Sequence, residues 1–258
     1  MDGAIVWENI VRTLLLILLT GVPVYVLLIA YVYVFQARLI FFPNVPGRTL
    51  AATPSQIGLS FEEVRITAAD LAAGTCRRQR APRPYSSVTA MPVILRTAWI
   101  GSRSSAAWDY LTNTKGFSPR SIVIVGESLG GPIAAHLAKD VAPGALILVS
   151  TFTSVPNLAG TLYWYLPVRL LARFQYPTAA YVARVHVPTL VIHSRDDKTI
   201  PFLHGEELRK RASGPAQLLE IFGDHNAAFM LSRPKLTEGM RSFLEAHCIL
   251  KASGALAR

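Results

Sequence analysis

The chain has 258 residues, with Lys+Arg 26 against Asp+Glu 16, a formal net charge of +10 and 51% hydrophobic residues. Its mean hydropathy is +0.34. That apolar content excludes a disordered or low-complexity chain and leaves one medium domain, or one domain with a membrane segment. Two cysteines, Cys76 and Cys248, exclude a disulfide framework, and no Cys/His cluster has zinc-ligand spacing. The positive balance suggests nucleic acid or an anionic membrane surface, and how evenly it is spread decides its weight.

The apolar excess has a local source. Thr13 to Ala37 contains no charged residue, and residues 14–35 are apolar over a length that crosses a bilayer as one helix. Pro23 and Gly21 lie inside it, as transmembrane helices tolerate. Tyr31 and Tyr33 stand near the distal end, where an aromatic belt forms. A cleaved signal peptide fits poorly, because the stretch is long and no small-x-small site follows it. Residues 1–13 are thus read as a flank, 14–35 as a single-pass anchor and 36–258 as the main domain. Arg12 precedes the span and Arg38 and Arg48 follow it, which leans toward a cytoplasmic domain by one residue.

After the anchor, alternation in 61–67 predicts a strand and 105–115 a helix. The β-branched run SIVIV at 121–125 predicts a buried strand, followed by a helix over 129–140 and a second buried strand, ALILVS, at 145–150. Residues 157–184 read as helical, broken at Pro167 and Pro177. Strands at 189–193 and 217–222 alternate with helices at 202–211 and 235–248. Short buried strands alternating with helices imply a parallel α/β sheet with helices on both faces.

Gly126-Glu127-Ser128-Leu129-Gly130 has the G-x-S-x-G pattern. The pattern is weak alone, but here it follows a predicted strand and opens a predicted helix, which is the context a nucleophile elbow requires. The competing reading is a Gly-rich turn whose Ser caps the helix. A serine hydroxyl needs a base, and the base an orienting acid, in the chain order Ser, acid, His for this elbow. Asp197 follows the strand at 189–193, and the competing acid is Asp196, whose bland role is a turn or cap. His225 follows the last strand in Gly223-Asp224-His225-Asn226 and is the candidate base. His193 reads as packed at a strand end. His136, His186, His204 and His247 carry no motif. Tyr163, Trp164 and Tyr165, with Arg169, Arg173 and Arg184, fall between two strands. They suit a cap over a pocket, a face resting on a bilayer, or ordinary packing.

The chain resembles the membrane-anchored α/β-hydrolase-domain family, whose members are often called serine aminopeptidase-like. The matching stretches are FFPNVPGR at 41–48, GLSFEEVRITAAD at 58–70, AAWDYL at 106–111 and GESLGGPIAAHLA at 126–138. ALILVSTFTSVPNLA at 145–159, VPTLVIHSRDDKTIPFLHGEEL at 187–208 and GDHNAAF at 223–229 complete the set. The resemblance implies the α/β-hydrolase fold, with Ser128, Asp197 and His225 as nucleophile, acid and base. It implies cleavage of an ester, thioester or amide through an acyl-enzyme, with no cofactor. The backbone N–H of Leu129 is then one oxyanion donor. The expected partners are a small-molecule or acyl substrate and the membrane, with no nucleic acid. The alternative is a non-catalytic, membrane-associated binding protein of the same fold.

From Leu71 to Ser105 the resemblance fails. The family has there a strand running into an His-Gly-Asn-Ala-Gly loop, which supplies the second oxyanion donor, and then a further strand. This chain instead has clustered Arg77, Arg78, Arg80 and Arg83, no acidic residue, and one strand-like run at 91–95. We read the segment as translated out of frame, the alternative being a divergent surface insertion. Read from the third base of each codon, residues 86–94 have codon choices that spell the missing loop. The single codons of Met91 and Trp99 constrain this most, giving Ala and Asp at the required places. A domain missing two central strands exposes edges and apolar faces, so poor folding and low activity are expected. The segment carries six arginines, and without them the balance of 26 to 16 becomes 20 to 16, or +4. The basic balance is thus poor support for a nucleic-acid partner.

Overall fold

The computed structural model describes residues 2–41, 93–97, 101–247 and 249. The predicted strand at 61–67, the arginine cluster and both cysteines lie outside the described residues. The described residues fall in two compact units, one holding 2–41 and 159–175 and the other the remaining described residues.

The first unit is built on helix α1 (Asp2–Phe41), longer at both ends than the expected span and containing Pro23. From residue 6 to 40 it is long and apolar enough to cross a membrane. Its Leu14–Leu19 side chains are all more than half exposed although apolar, a pattern that suits a helix surrounded by lipid.

The second unit holds a sheet of five strands in the order β1-β2-β3-β4-β5, every neighbouring pair parallel. The strands are β1 (Val93–Thr97), β2 (Ile122–Glu127), β3 (Ala145–Val149), β4 (Thr189–Ser194) and β5 (Ala216–Ile221). Helices α2 (Gly101–Asp109), α3 (Gly130–Val141), α7 (Leu203–Arg211) and α9 (Arg233–Ala246) connect or follow them. Between β3 and β4 the expected long helical stretch is three short helices, α4 (Val155–Leu162), α5 (Val168–Leu171) and α6 (Thr178–Val182). Pro167 and Pro177 immediately precede α5 and α6. Proline lacks the N–H that a continuing helix needs and suits a helix start. Helix α8 (Ala228–Leu231) follows β5.

The period of two along the strands divides the core. Ile122, Ile124, Leu146, Leu148 and Val191 pack with Ala134, Leu137 and Leu208 of α3 and α7 on one face. Val123, Val125, Ile147, Val149 and Ile192 pack with Leu236, Phe243 and Leu244 of α9 on the other. The central strands are buried on both faces, which is why their sequences read as continuous apolar runs rather than alternating ones.

One expectation needs correction. The anomalous segment still supplies β1, two residues later than the 91–95 run suggested, and Val93 to Thr97 pair in register with Ile122 to Gly126. The elbow strand β2 therefore has a partner on each side rather than a bare edge. Helix α2 also begins inside the segment, at Gly101.

Candidate active site

Parallel strands bring their C-terminal ends to one edge, and in open α/β sheets ligands bind there. Ser128 follows β2, Asp197 follows β4 and His225 follows β5.

Ser128 has φ of 50°, a left-handed conformation that costs a non-glycine residue on the order of 1–3 kcal/mol and persists only where its surroundings fix it. Three backbone contacts do so here. Ser128 N donates to Val149 O at 2.9 Å, and Ser128 O accepts from Gly131 N at 3.0 Å and Thr151 Oγ1 at 2.7 Å. The glycines clear the space around this turn. A Cβ on Gly126 would lie 2.5 Å from Ala134 Cβ, and one on Gly131 would meet the Thr151 side chain. The second sterically required glycine is thus the residue after the pentapeptide.

The held turn brings Ser128 Oγ 3.2 Å from His225 Nε2, and His225 Nδ1 lies 2.7 Å from Asp197 Oδ2. Asp197 is buried, whereas Asp196 is exposed and accepts from Gly223 N at 3.0 Å. The structure therefore places Asp197 and not Asp196 against the histidine. The other oxygen of Asp197 accepts from Thr199 N and Ile200 N, at 2.9 and 2.8 Å. Burial alone would raise the Asp197 pKa, but hydrogen bonds from His225 and Ile200 outweigh it and hold the carboxyl below its ordinary value. The carboxylate stays ionised, accepts from Nδ1, and leaves Nε2 to face the serine as an acceptor.

Leu129 stands at the N-terminal end of α3. The N–H groups of a helix's first turn lack intrahelical acceptors, so this is where an anion is stabilised.

Sequence reasoning missed two neighbours of this constellation. Thr151, one residue beyond the β3 turn, carries no motif, and the required glycine opposite it is its only trace. His193 is fully buried, with Nε2 2.8 Å from Ile200 O and 3.8 Å from Asp197 Oδ2. Nε2 is therefore the protonated nitrogen, donating to that carbonyl, and Nδ1 is buried without a partner. Burial pushes the His193 pKa down. His204 is also buried, 3.0 Å from Thr153 Oγ1, and burial pushes its pKa down as well. His136 stacks edge-on against Tyr181, and His247 packs on Phe243. Among the described residues no group of His, Cys, Asp or Glu could hold a metal.

No family model matches the chain. It is 32% identical over 152 residues to an uncharacterized protein of Mycobacterium tuberculosis, covering 58% of this chain and 54% of that one. It is 30% identical over 123 residues to alpha/beta hydrolase domain-containing protein 17B of Homo sapiens, covering 47% and 41%. The chain thus spans about half the length of the curated relatives it matches. Among solved structures, the esterase Est1E from Butyrivibrio proteoclasticus is 20% identical, with a TM-score of 0.45 over 56% of this chain and 67% of that one.

Proposed function

We propose that the chain is a membrane-anchored serine hydrolase of the α/β-hydrolase type, working through an acyl-enzyme. The observation that carries this reading is the hydrogen-bond chain from Ser128 through His225 to Asp197 on a left-handed elbow. His225 Nε2 takes the proton as Ser128 Oγ attacks an ester, thioester or amide carbonyl. Asp197 holds the ring and stabilises the imidazolium that forms. The same proton then goes to the leaving group, and a water activated by His225 clears the acyl group. The Leu129 N–H faces the developing oxyanion.

The anchor reading rests on α1, and the arginine count around it favours a cytoplasmic domain by one residue. The substrate is a small molecule or an acyl group. Turnover is limited by the second oxyanion donor, for which 71–105 offers no source in sequence. One missing donor costs about 10²–10³ in rate. The same observation favours a second reading, a membrane-associated binding protein that keeps the fold without turnover. Incubating the full chain in detergent with a fluorophosphonate separates the two. Covalent capture on Ser128 supports the hydrolase, and unreactive folded protein supports the binding protein.

A further inference from the structure

The unit that contains α1 also contains residues 159–175, although they are far from α1 in sequence. Hydrogen bonds tie the two segments at separate levels. Tyr25 Oη donates to Tyr165 O at 2.8 Å. Gln36, a buried polar residue on this helix, donates from Nε2 to Leu171 O at 2.6 Å and accepts at Oε1 from Arg173 N at 2.9 Å. The Arg173 guanidinium lies 5.6 Å from the Tyr33 ring centre. Tyr25 and Gln36 are eleven residues apart, about three helical turns, so they share a face and differ in level by about 16 Å.

The bilayer position follows from the charges on α1. Arg12 is the last charged residue before Arg38. The hydrocarbon core is about 30 Å thick and takes about 20 helical residues. Counted from Arg12, the apolar core ends near residue 32. Ending it at Tyr25 would leave about 18 Å of uncharged helix after Arg12, too little to span. Tyr25, and the Tyr165 carbonyl bonded to it, therefore lie about 10 Å inside the boundary on the side of the following domain.

The attached segment exposes large apolar side chains, with one exposed charge among them, Arg169 beside Leu170, whose long stem lets its head reach toward the boundary. Trp164 is 82% exposed and Leu170 88%, and Leu162, Tyr163 and Tyr165 are also exposed. Its backbone groups are largely paired within the segment: Tyr163, Leu166, Val168, Leu170, Leu171 and Ala172 all donate to carbonyls between Ala159 and Val168. Such pairing lowers the cost of bringing this chain toward lipid, which offers no hydrogen bonds, and its contacts with α1 cover part of the remainder. The charged Arg173 is attached at the Gln36 level, beyond the core, where its head reaches phosphates and water.

We propose that residues 159–175 are a lipid-immersed element of the anchor unit, seated in one leaflet beside α1 with Trp164 and Leu170 facing acyl chains. This rests on the reading of α1 as a membrane anchor. The partner is the bilayer itself.

The experiment uses the full chain with Cys76→Ser and Cys248→Ser, reconstituted in phosphatidylcholine nanodiscs. Spin labels are placed at Leu18→Cys, Trp164→Cys, Leu170→Cys and Glu238→Cys, and accessibility to oxygen and to a water-soluble nickel chelate is read at each. The expected result is oxygen accessibility several-fold above that of the chelate at 18, 164 and 170, and the reverse at 238. Lipid exposure at 18 with chelate exposure at 164 and 170 overturns the proposal and leaves the anchor standing. Chelate exposure at 18 overturns the anchor and the proposal with it. Low accessibility to both reagents at 164 and 170 means a protein covers them and also overturns it. In the chain without label, Trp164→Phe removes a share of the fluorescence that bromolipids quench, and unchanged quenching contradicts the proposal.

Discussion

Nδ1 of His225 lies 2.7 Å from Oδ2 of Asp197, while the adjacent Asp196 turns its carboxylate to the amide of Gly223. Two consecutive aspartates thus serve different bonds. Asp197→Asn leaves the shape but loses the ionised acceptor that fixes the histidine tautomer, and reactivity of Ser128 toward fluorophosphonate falls on the order of 10⁴-fold. Asp196→Asn keeps an acceptor for Gly223 and changes the labelling rate little. Equal losses in the two variants contradict this assignment.

The elbow depends on space as well as on bonding. Gly131→Ala drives a methyl group into the Thr151 side chain. Overpacking of this kind costs about 1–3 kcal/mol, and here it also displaces the hydroxyl that holds Ser128 O. Chemical denaturation is expected to show that loss together with slower labelling of Ser128. An unperturbed midpoint contradicts the close approach.

Two buried histidines and one buried carboxylate set the response to acid. The folded-state pKa of His193 and of His204 is lowered, so in the window below about 6.5, the unperturbed histidine value, the unfolded chain binds more protons. Their contribution to stability is full above that value and is lost as pH falls through the window. Asp197 is lowered too, so its contribution is present above about 3.9, the unperturbed carboxyl value, and is lost as pH falls toward the folded value. His193→Gln keeps an N–H for Ile200 O without the ionisation. Unfolding midpoints followed from pH 8 to 5 should show a shallower loss for this variant. An unchanged slope removes His193 from the account.

The chain as written is expected to turn over ester substrates weakly. Replacing 71–105 with the whole corresponding segment of the resembled family, both strands and the His-Gly-Asn-Ala-Gly loop, so that β2 keeps a partner, raises turnover by about 10²–10³, the worth of one oxyanion donor. Equal turnover before and after replacement contradicts a missing donor. The nucleotide sequence tests the frame reading itself: close relatives carrying the same Arg-rich residues in frame contradict it.

The sheet was legible because its strands are buried on both faces and read as apolar runs between breakers, as in SIVIV and ALILVS. The elbow was legible because Gly126, Ser128 and Gly130 fall at a strand-to-helix junction. Asp197 over Asp196 was only partly legible, since both follow β4 and the choice depends on which carboxylate the turn at Thr199 and Ile200 buries. His193 and Thr151 left no pattern, because their roles come from β3 and β4 lying beside the elbow in space. The 157–184 stretch looked like one broken helix, and its first part instead belongs with α1, a long-range contact that no local periodicity encodes.

The central claim is that Ser128 is an activated nucleophile. It is tested most directly by treating the full detergent-solubilised chain with a fluorophosphonate and locating the adduct by mass spectrometry, with Ser128→Ala and His225→Ala in parallel. The account predicts an adduct on Ser128 that disappears in the first variant and forms far more slowly in the second. Folded protein that stays unlabelled, or labelling that survives Ser128→Ala, would contradict it.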